Sequence, residues 1–143
     1  MIANEYQYNL TKAQAAKFDR ALKQLQTQSG SDNSIHPLLR TAEQNALQGQ
    51  LETLKAGMAE YEALRSGKRK SFSAESLEEL PGVLIKARIA SGLTQKQLAE
   101  KLGLKEQQIQ RYEATGYSSA SLKRVNQVVH ALGLKVREEV ALR

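Results

Sequence analysis

Residues 93–116, LTQKQLAEKLGLKEQQIQRYEATG, constrain the fold more tightly than any other part of this 143-residue chain. Thr94 followed three residues later by Gln97 has the form of a capping box, in which each side chain satisfies the other residue's backbone amide, and Leu93 is placed to staple onto Leu98. The helix opened in this way carries Leu98 and Leu102 inward and keeps Ala99 small where a second helix can cross closely. It stops at Gly103, which tolerates a left-handed backbone. After a sharp turn, the spacing predicts a second helix from about Lys105 to Ala114, with Ile109 and Tyr112 facing in and Glu106, Gln107, Gln110 and Arg111 facing out.

The outward set has a specific chemistry. Glutamine can bond an adenine edge in two places, arginine can do the same to guanine, and glutamate can accept from cytosine, each good pair discriminating by about 1–3 kcal/mol. Polar residues of these types also make an ordinary solvated helix face. What favours base reading is the order of parts: a tight glycine turn, a small Ala99, buried Leu102 and Ile109, and then a helix of polar readers.

The rest of the chain reads as helical. Ala, Leu, Gln, Glu, Lys and Arg dominate and aromatics make up 5%, so an all-α protein is expected. Apolar residues Leu10, Ala15, Phe18, Leu22 and Leu25 recur at helical spacing, with Thr11 and Gln14 as a candidate box opening a helix that runs to Gln28. The Ser29–Ser34 run should break it, and Pro37 suits the first turn of a long second helix ending near Arg65. Along that helix Leu47, Leu51, Leu54, Met58 and Tyr61 step by four, three, four and three, a short heptad stripe. The helix would extend about 40 Å, more than a first helix starting at Leu10 can cover. The stripe is therefore a candidate face for dimerisation or a partner, with an intramolecular hairpin as the alternative. Ser66 to Ser71, with Lys68, Arg69 and Lys70, suits an exposed hinge, either near phosphates or merely solvated. These features divide the chain into residues 1–70, a helical hairpin, and residues 71–143.

Within the second part, Ser76 and Glu79 resemble another box, and Leu80, Leu84, Ala87 and Ala90 line one face. Pro81 leaves open whether the helix starts near Leu80 or is kinked after a turn begun at Ser76. Ser118 and Ser119 are placed to start a last helix buried through Leu122, Val125, Val129 and Leu132 and ended by Gly133. From Leu134 the pattern alternates, with Leu134, Val136, Val140 and Leu142 on one side. A short strand there would pair with its own copy or with the Tyr6, Tyr8, Leu10 alternation; an unstructured segment fits equally.

Composition narrows the function classes. The net charge of +6 is split evenly, ten basic against seven acidic residues in 1–70 and eleven against eight in 71–143, so charge favours polyanionic partners without choosing a half. With no cysteine and only His36 and His130 as imidazoles, neither disulfides nor a metal site is expected, and no cofactor is indicated. No catalytic constellation or phosphate-cradling loop stands out, so the chain does not read as an enzyme. Nor does any stretch look long and apolar enough to cross a membrane, and a cytoplasmic location is expected.

Residues 77–133 resemble the helix-turn-helix domain of the XRE family, the Cro and phage-repressor superfamily of transcription regulators. The resemblance is carried by Ala87-Arg88, Gly92-Leu93-Thr94-Gln95, Leu98-Ala99, Leu102-Gly103, Ile109, Glu113 and Ala131-Leu132-Gly133. It implies a lambda-repressor-like fold bound to double-stranded DNA, with Glu106, Gln107, Gln110 and Arg111 on the bases. Thr94, Gln95, Lys105, Ser118 and Ser119 are then candidate backbone contacts. Lys105 departs from the family's usual Ser or Thr cap; a lysine there cannot accept the backbone bond, and a nearby phosphate would compensate. Because one such unit reads few base pairs, a homodimer on a palindromic operator is expected. A helical hairpin ahead of this domain, with Ala59-Glu60-Tyr61-Glu62-Ala63-Leu64 and Leu80-Pro81, is also similar to HigA-type antitoxins. That likeness implies repression of its own operon and neutralisation of a RelE-like toxin, whereas a stand-alone repressor would use the N-terminal helices only to dimerise.

Overall fold

The computed structural model describes residues 1–27 and 36–143. Among these it contains α1 (Glu5–Thr27), α2 (Pro37–Arg65), a 3-10 turn (Leu77–Glu79), α3 (Leu80–Ala90), α4 (Gln95–Leu102), α5 (Glu106–Ala114) and α6 (Leu122–Ala131), with no strand. The chain divides into two compact units, Met1–Glu62 and Ala63–Arg143. The expected Ser29–Ser34 break and the helix end at Gln28 lie outside the described residues.

In the first unit, α1 begins at Glu5 rather than Leu10. The cap is Asn4, whose Oδ1 accepts from the Gln7 amide at 2.8 Å while Gln7 Oε1 accepts from the Ala3 amide at 2.8 Å. Thr11 lies inside the helix, its hydroxyl donating back to the Gln7 carbonyl at 2.8 Å, so the expected Thr11–Gln14 box is not the start. The early start also overturns the Tyr6, Tyr8, Leu10 strand, since all three are helical. It adds about one and a half turns to α1, giving 23 residues, about 35 Å, against 29 residues in α2, about 44 Å.

Ala15, Leu22 and Leu51 form a buried core, with Phe18, Leu47, Leu54 and Met58 packed around it. Farther along, the Tyr8 and Tyr61 rings stack with centroids 5.3 Å apart, and the Tyr8 hydroxyl donates to Glu62. The stripe Leu47, Leu51, Leu54, Met58 and Tyr61, for which another chain and an intramolecular hairpin both stood open, packs against α1 within the hairpin. The side chains facing it, Tyr8, Ala15, Phe18 and Leu22, follow heptad-like steps, whereas Leu10 falls outside them and is 59% exposed.

The second unit packs α4 against α5 and α6, around the fully buried Leu84, Leu98, Ile109 and Val128. At its entrance both alternatives for Pro81 are partly realised. A 3-10 turn follows Ser76, and α3 starts at Leu80 with Pro81 in its first turn. The Ser76 side chain makes no cap bond, and Glu79 instead accepts from the Glu75 amide at 2.8 Å. Helix α3 buries Leu84, Ile85, Ala87, Arg88 and Ile89, a wider face than the expected Leu80, Leu84, Ala87, Ala90 stripe; Leu80 and Ala90 are only half-buried.

Helix α6 also differs. Its cap is Ser121, which accepts from the Arg124 amide at 3.1 Å, and Ser118 and Ser119 sit in the preceding turn. With the helix starting there, Leu122 is its first residue and 82% exposed, while Val128 reaches the core. Residues 134–143 form no strand, and the N-terminal segment expected as one pairing partner is itself helical.

Candidate nucleic-acid interface

Helix α4 opens as its sequence dictates. Gln97 N donates to Thr94 Oγ1 at 3.0 Å and Thr94 N to Gln97 Oε1 at 2.9 Å, closing the capping box. Gly103 ends the helix with φ of 69°, a left-handed conformation that would strain any other L-residue. The Leu104 amide then returns to the Ala99 carbonyl at 2.8 Å, sealing a turn only two residues from the next helix. Lys105 stands at the start of α5 with extended backbone and no side-chain cap bond, so the departure seen in the sequence leaves the first amides of α5 without a side-chain acceptor.

On α5, Ile109, Tyr112 and Glu113 are buried. Glu106, Gln107, Gln110 and Arg111 are exposed on the opposite side, and none of these four side chains is hydrogen-bonded or ion-paired within the described residues. Helical spacing places them within about 140° of arc. They form a continuous, uncommitted face rather than one tucked against the protein.

What fixes that face is a buried polar triad. Arg88 Nε and Nη2 donate to the two carboxylate oxygens of Glu113 at 2.6 and 3.0 Å, and Arg88 Nη1 donates to the Leu93 carbonyl at 2.8 Å. Gln95 Nε2 adds a bond to Glu113 Oε2 at 2.7 Å. The triad therefore ties α3 to α5 through two parallel, charge-assisted bonds and joins the α3–α4 turn and α4 to them through the Leu93 and Gln95 bonds. No buried side-chain polar atom is left unpartnered among the described residues. Below it the Tyr112 and Tyr117 rings stack at 5.6 Å. Burial, reinforced by the Glu113 charge and opposed in part by Arg88, drives the Tyr117 hydroxyl's pKa far above its ordinary value.

The triad corrects one expectation. Gln95, expected on the DNA backbone, is 4% exposed and turns inward, because the first turn of α4 faces the Glu113 carboxylate, which accepts its amide. The other candidate backbone contacts, Thr94, Lys105, Ser118 and Ser119, are exposed, although the Thr94 oxygen is already engaged in the box. Reasoning from the sequence gave no role to Arg88 and Glu113. The available signal was one cation and one anion, each set among apolar positions of its helix.

The basic run lies close to the start of this unit. A Cβ on Gly67 would stand 3.4 Å from the Ala90 carbonyl, so the chain passes the end of α3 immediately before Lys68. Arg69 stacks over Phe72 at 4.5 Å, while Lys68 and Lys70 are exposed and unpaired among the described residues. The described residues contain neither a helix long and apolar enough to cross a membrane nor a cluster of potential metal ligands.

Comparison with known proteins agrees with this geometry. No curated protein and no solved structure matches the chain, but residues 84–138 match the Helix-turn-helix family model. The match begins within α3 and includes the whole of α4, α5 and α6. Over this span the chain is similar to helix-turn-helix domains of the XRE type, the fold of DNA-binding transcription regulators.

Proposed function

We propose that the protein is a sequence-specific transcriptional repressor that binds a palindromic operator as a homodimer. In this reading α5 lies in the major groove, Glu106, Gln107, Gln110 and Arg111 read base edges, and Thr94, Lys105, Ser118 and Ser119 contact phosphates. The observation that carries it is the exposed and unpaired α5 face, held at a fixed angle by the Arg88–Glu113–Gln95 triad. Lys68 and Lys70 add positive charge that suits the same polyanion.

We further propose a second role, autoregulation of an operon together with neutralisation of a RelE-like toxin, on the resemblance to HigA-type antitoxins read from the sequence alone. Unit 1 offers apolar surface for such a partner in Tyr6, Leu10, Leu38 and Leu39, which are 59–74% exposed. The alternative is a stand-alone repressor whose N-terminal helices serve only to dimerise. Pulldown of the neighbouring gene product separates the two roles: a stoichiometric toxin complex is expected, and its absence removes the antitoxin reading alone.

DNA binding is tested by titrating duplexes from the upstream promoter. Arg111→Ala should weaken binding to the cognate site by about 1–3 kcal/mol and relax base preference. Lys105→Ala should weaken all sequences alike and reduce the salt slope by about one. Equal affinity of the native protein for every duplex, at all ionic strengths, would overturn the reading.

A further inference from the structure

Residues 134–143, Leu-Lys-Val-Arg-Glu-Glu-Val-Ala-Leu-Arg, follow the glycine that ends α6. Apart from the Leu134 amide, which bonds the Val129 carbonyl at 3.1 Å, the backbone of this segment has no hydrogen-bond partner among the described residues. Val140 and Leu142 are 92% and 99% exposed. Apolar residues alternate with charged ones, the pattern of a strand with one face to bury, and a strand needs a ladder partner.

The segment is complementary to itself. In an antiparallel pair related by a two-fold axis perpendicular to the sheet, opposing residues share a face. One register sets Leu134 opposite Leu142 of a second copy, Val136 opposite its Val140, and Arg137 opposite its Glu139, each pairing occurring twice. The apolar pairs then fall on one face and the ion pairs on the other, and both kinds stabilise an antiparallel ladder. Shifting the strands by two residues either way sets Val136 or Val140 against Glu138 and faces Arg137 or Glu139 with its own counterpart. A parallel alignment in register places like charges side by side throughout.

We propose that residues 134–143 of two copies pair in this register as a two-stranded antiparallel ribbon, centred on Glu138, and that a second copy of this chain is the occupant of this exposed apolar edge. The proposal supplies a contact for the homodimer inferred above, and its role on DNA rests on that reading. Glu138 meets its own counterpart at the axis, the one unfavourable pair in the register. Two strands alone make a marginal structure, so the ribbon works as a weak clasp between chains.

The sequence has no cysteine, so a single introduced thiol reports the register directly. Opposed residues in an antiparallel pair have Cα atoms about 4.5–5.5 Å apart, within disulfide reach, whereas Cα atoms more than about 7 Å apart cannot be bridged without backbone movement. Full-length Glu138→Cys should oxidise largely to a covalent dimer on a non-reducing gel. Arg137→Cys, whose counterpart lies two residues along the partner strand, should stay largely monomeric. Adding Val136→Lys and Val140→Lys to Glu138→Cys should abolish trapping while leaving the helical circular dichroism unchanged. Equal trapping at 137 and 138, or none at 138, overturns the proposal. Sedimentation of the untreated protein on a palindromic duplex keeps the two readings apart. Two chains per duplex without trapping at 138 refutes only the ribbon, and one chain per duplex refutes the homodimer itself.

Discussion

Glu113 is the residue that anchors α5 to the rest of its unit. Its carboxylate is buried and accepts from Arg88 twice and Gln95 once, and removing one member of such a pair strands the other charge in a medium that solvates it poorly. Glu113→Ala should therefore destabilise the domain by about 3–5 kcal/mol, read by urea denaturation, although the residue makes no contact on the α5 outer face. Tyr117 makes a second, pH-dependent test. Its folded-state pKa is raised from 10.0, so the unfolded chain ionises first as pH climbs. Stability is complete below pH about 10 and falls as pH rises from there toward the folded value. Tyr117→Phe should flatten that alkaline decline in a series of melting curves while leaving neutral-pH stability nearly unchanged.

Among the elements, local signals were legible wherever the stabilising interaction is itself local. The Thr94–Gln97 box, the Gly103 stop and the exposed α5 face could be read from spacing because each depends on residues within a turn or two. The start of α1 is not legible locally because Asn4–Gln7 and Thr11–Gln14 have the same form, and it is the pairing of Tyr8 with Tyr61, 53 positions away, and with Glu62 that favours the earlier one. The exposure of Leu122 is hidden from the sequence for a similar reason: the serine that caps α6 decides which turn reaches the interior. The inward turn of Gln95 and the Arg88–Glu113 pair were hidden because both depend on how three helices cross. The hairpin gives a direct check on its packing. Leu51, 3% exposed between α1 and α2, should cost about 2–5 kcal/mol when cut to alanine, measured as a loss of unit 1 helicity on heating.

At the scale of the molecule, the helix-turn-helix match is confined to residues 84–138, and the long hairpin precedes it as a compact unit of its own. A single α5 spans only a few base pairs, so affinity and selectivity in the proposed reading come from two copies a helical turn apart. Lengthening the spacer between operator half-sites by about five base pairs, half a turn, should cut affinity sharply, and ten should restore much of it; gel-shift titration of the two duplexes checks the phase. A protein that used each domain independently would ignore the insertion.

The uncapped beginning of α5 has a thermodynamic corollary. By placing lysine where a hydroxyl or carboxamide would tether the chain, the sequence forgoes about 1 kcal/mol of intrinsic helix stability at this end. An arriving anion can return that stability by accepting from the same amides. In the proposed reading the opening of α5 gains stability when a phosphate docks on it, so part of the stabilisation of a DNA complex would come from consolidating α5 itself.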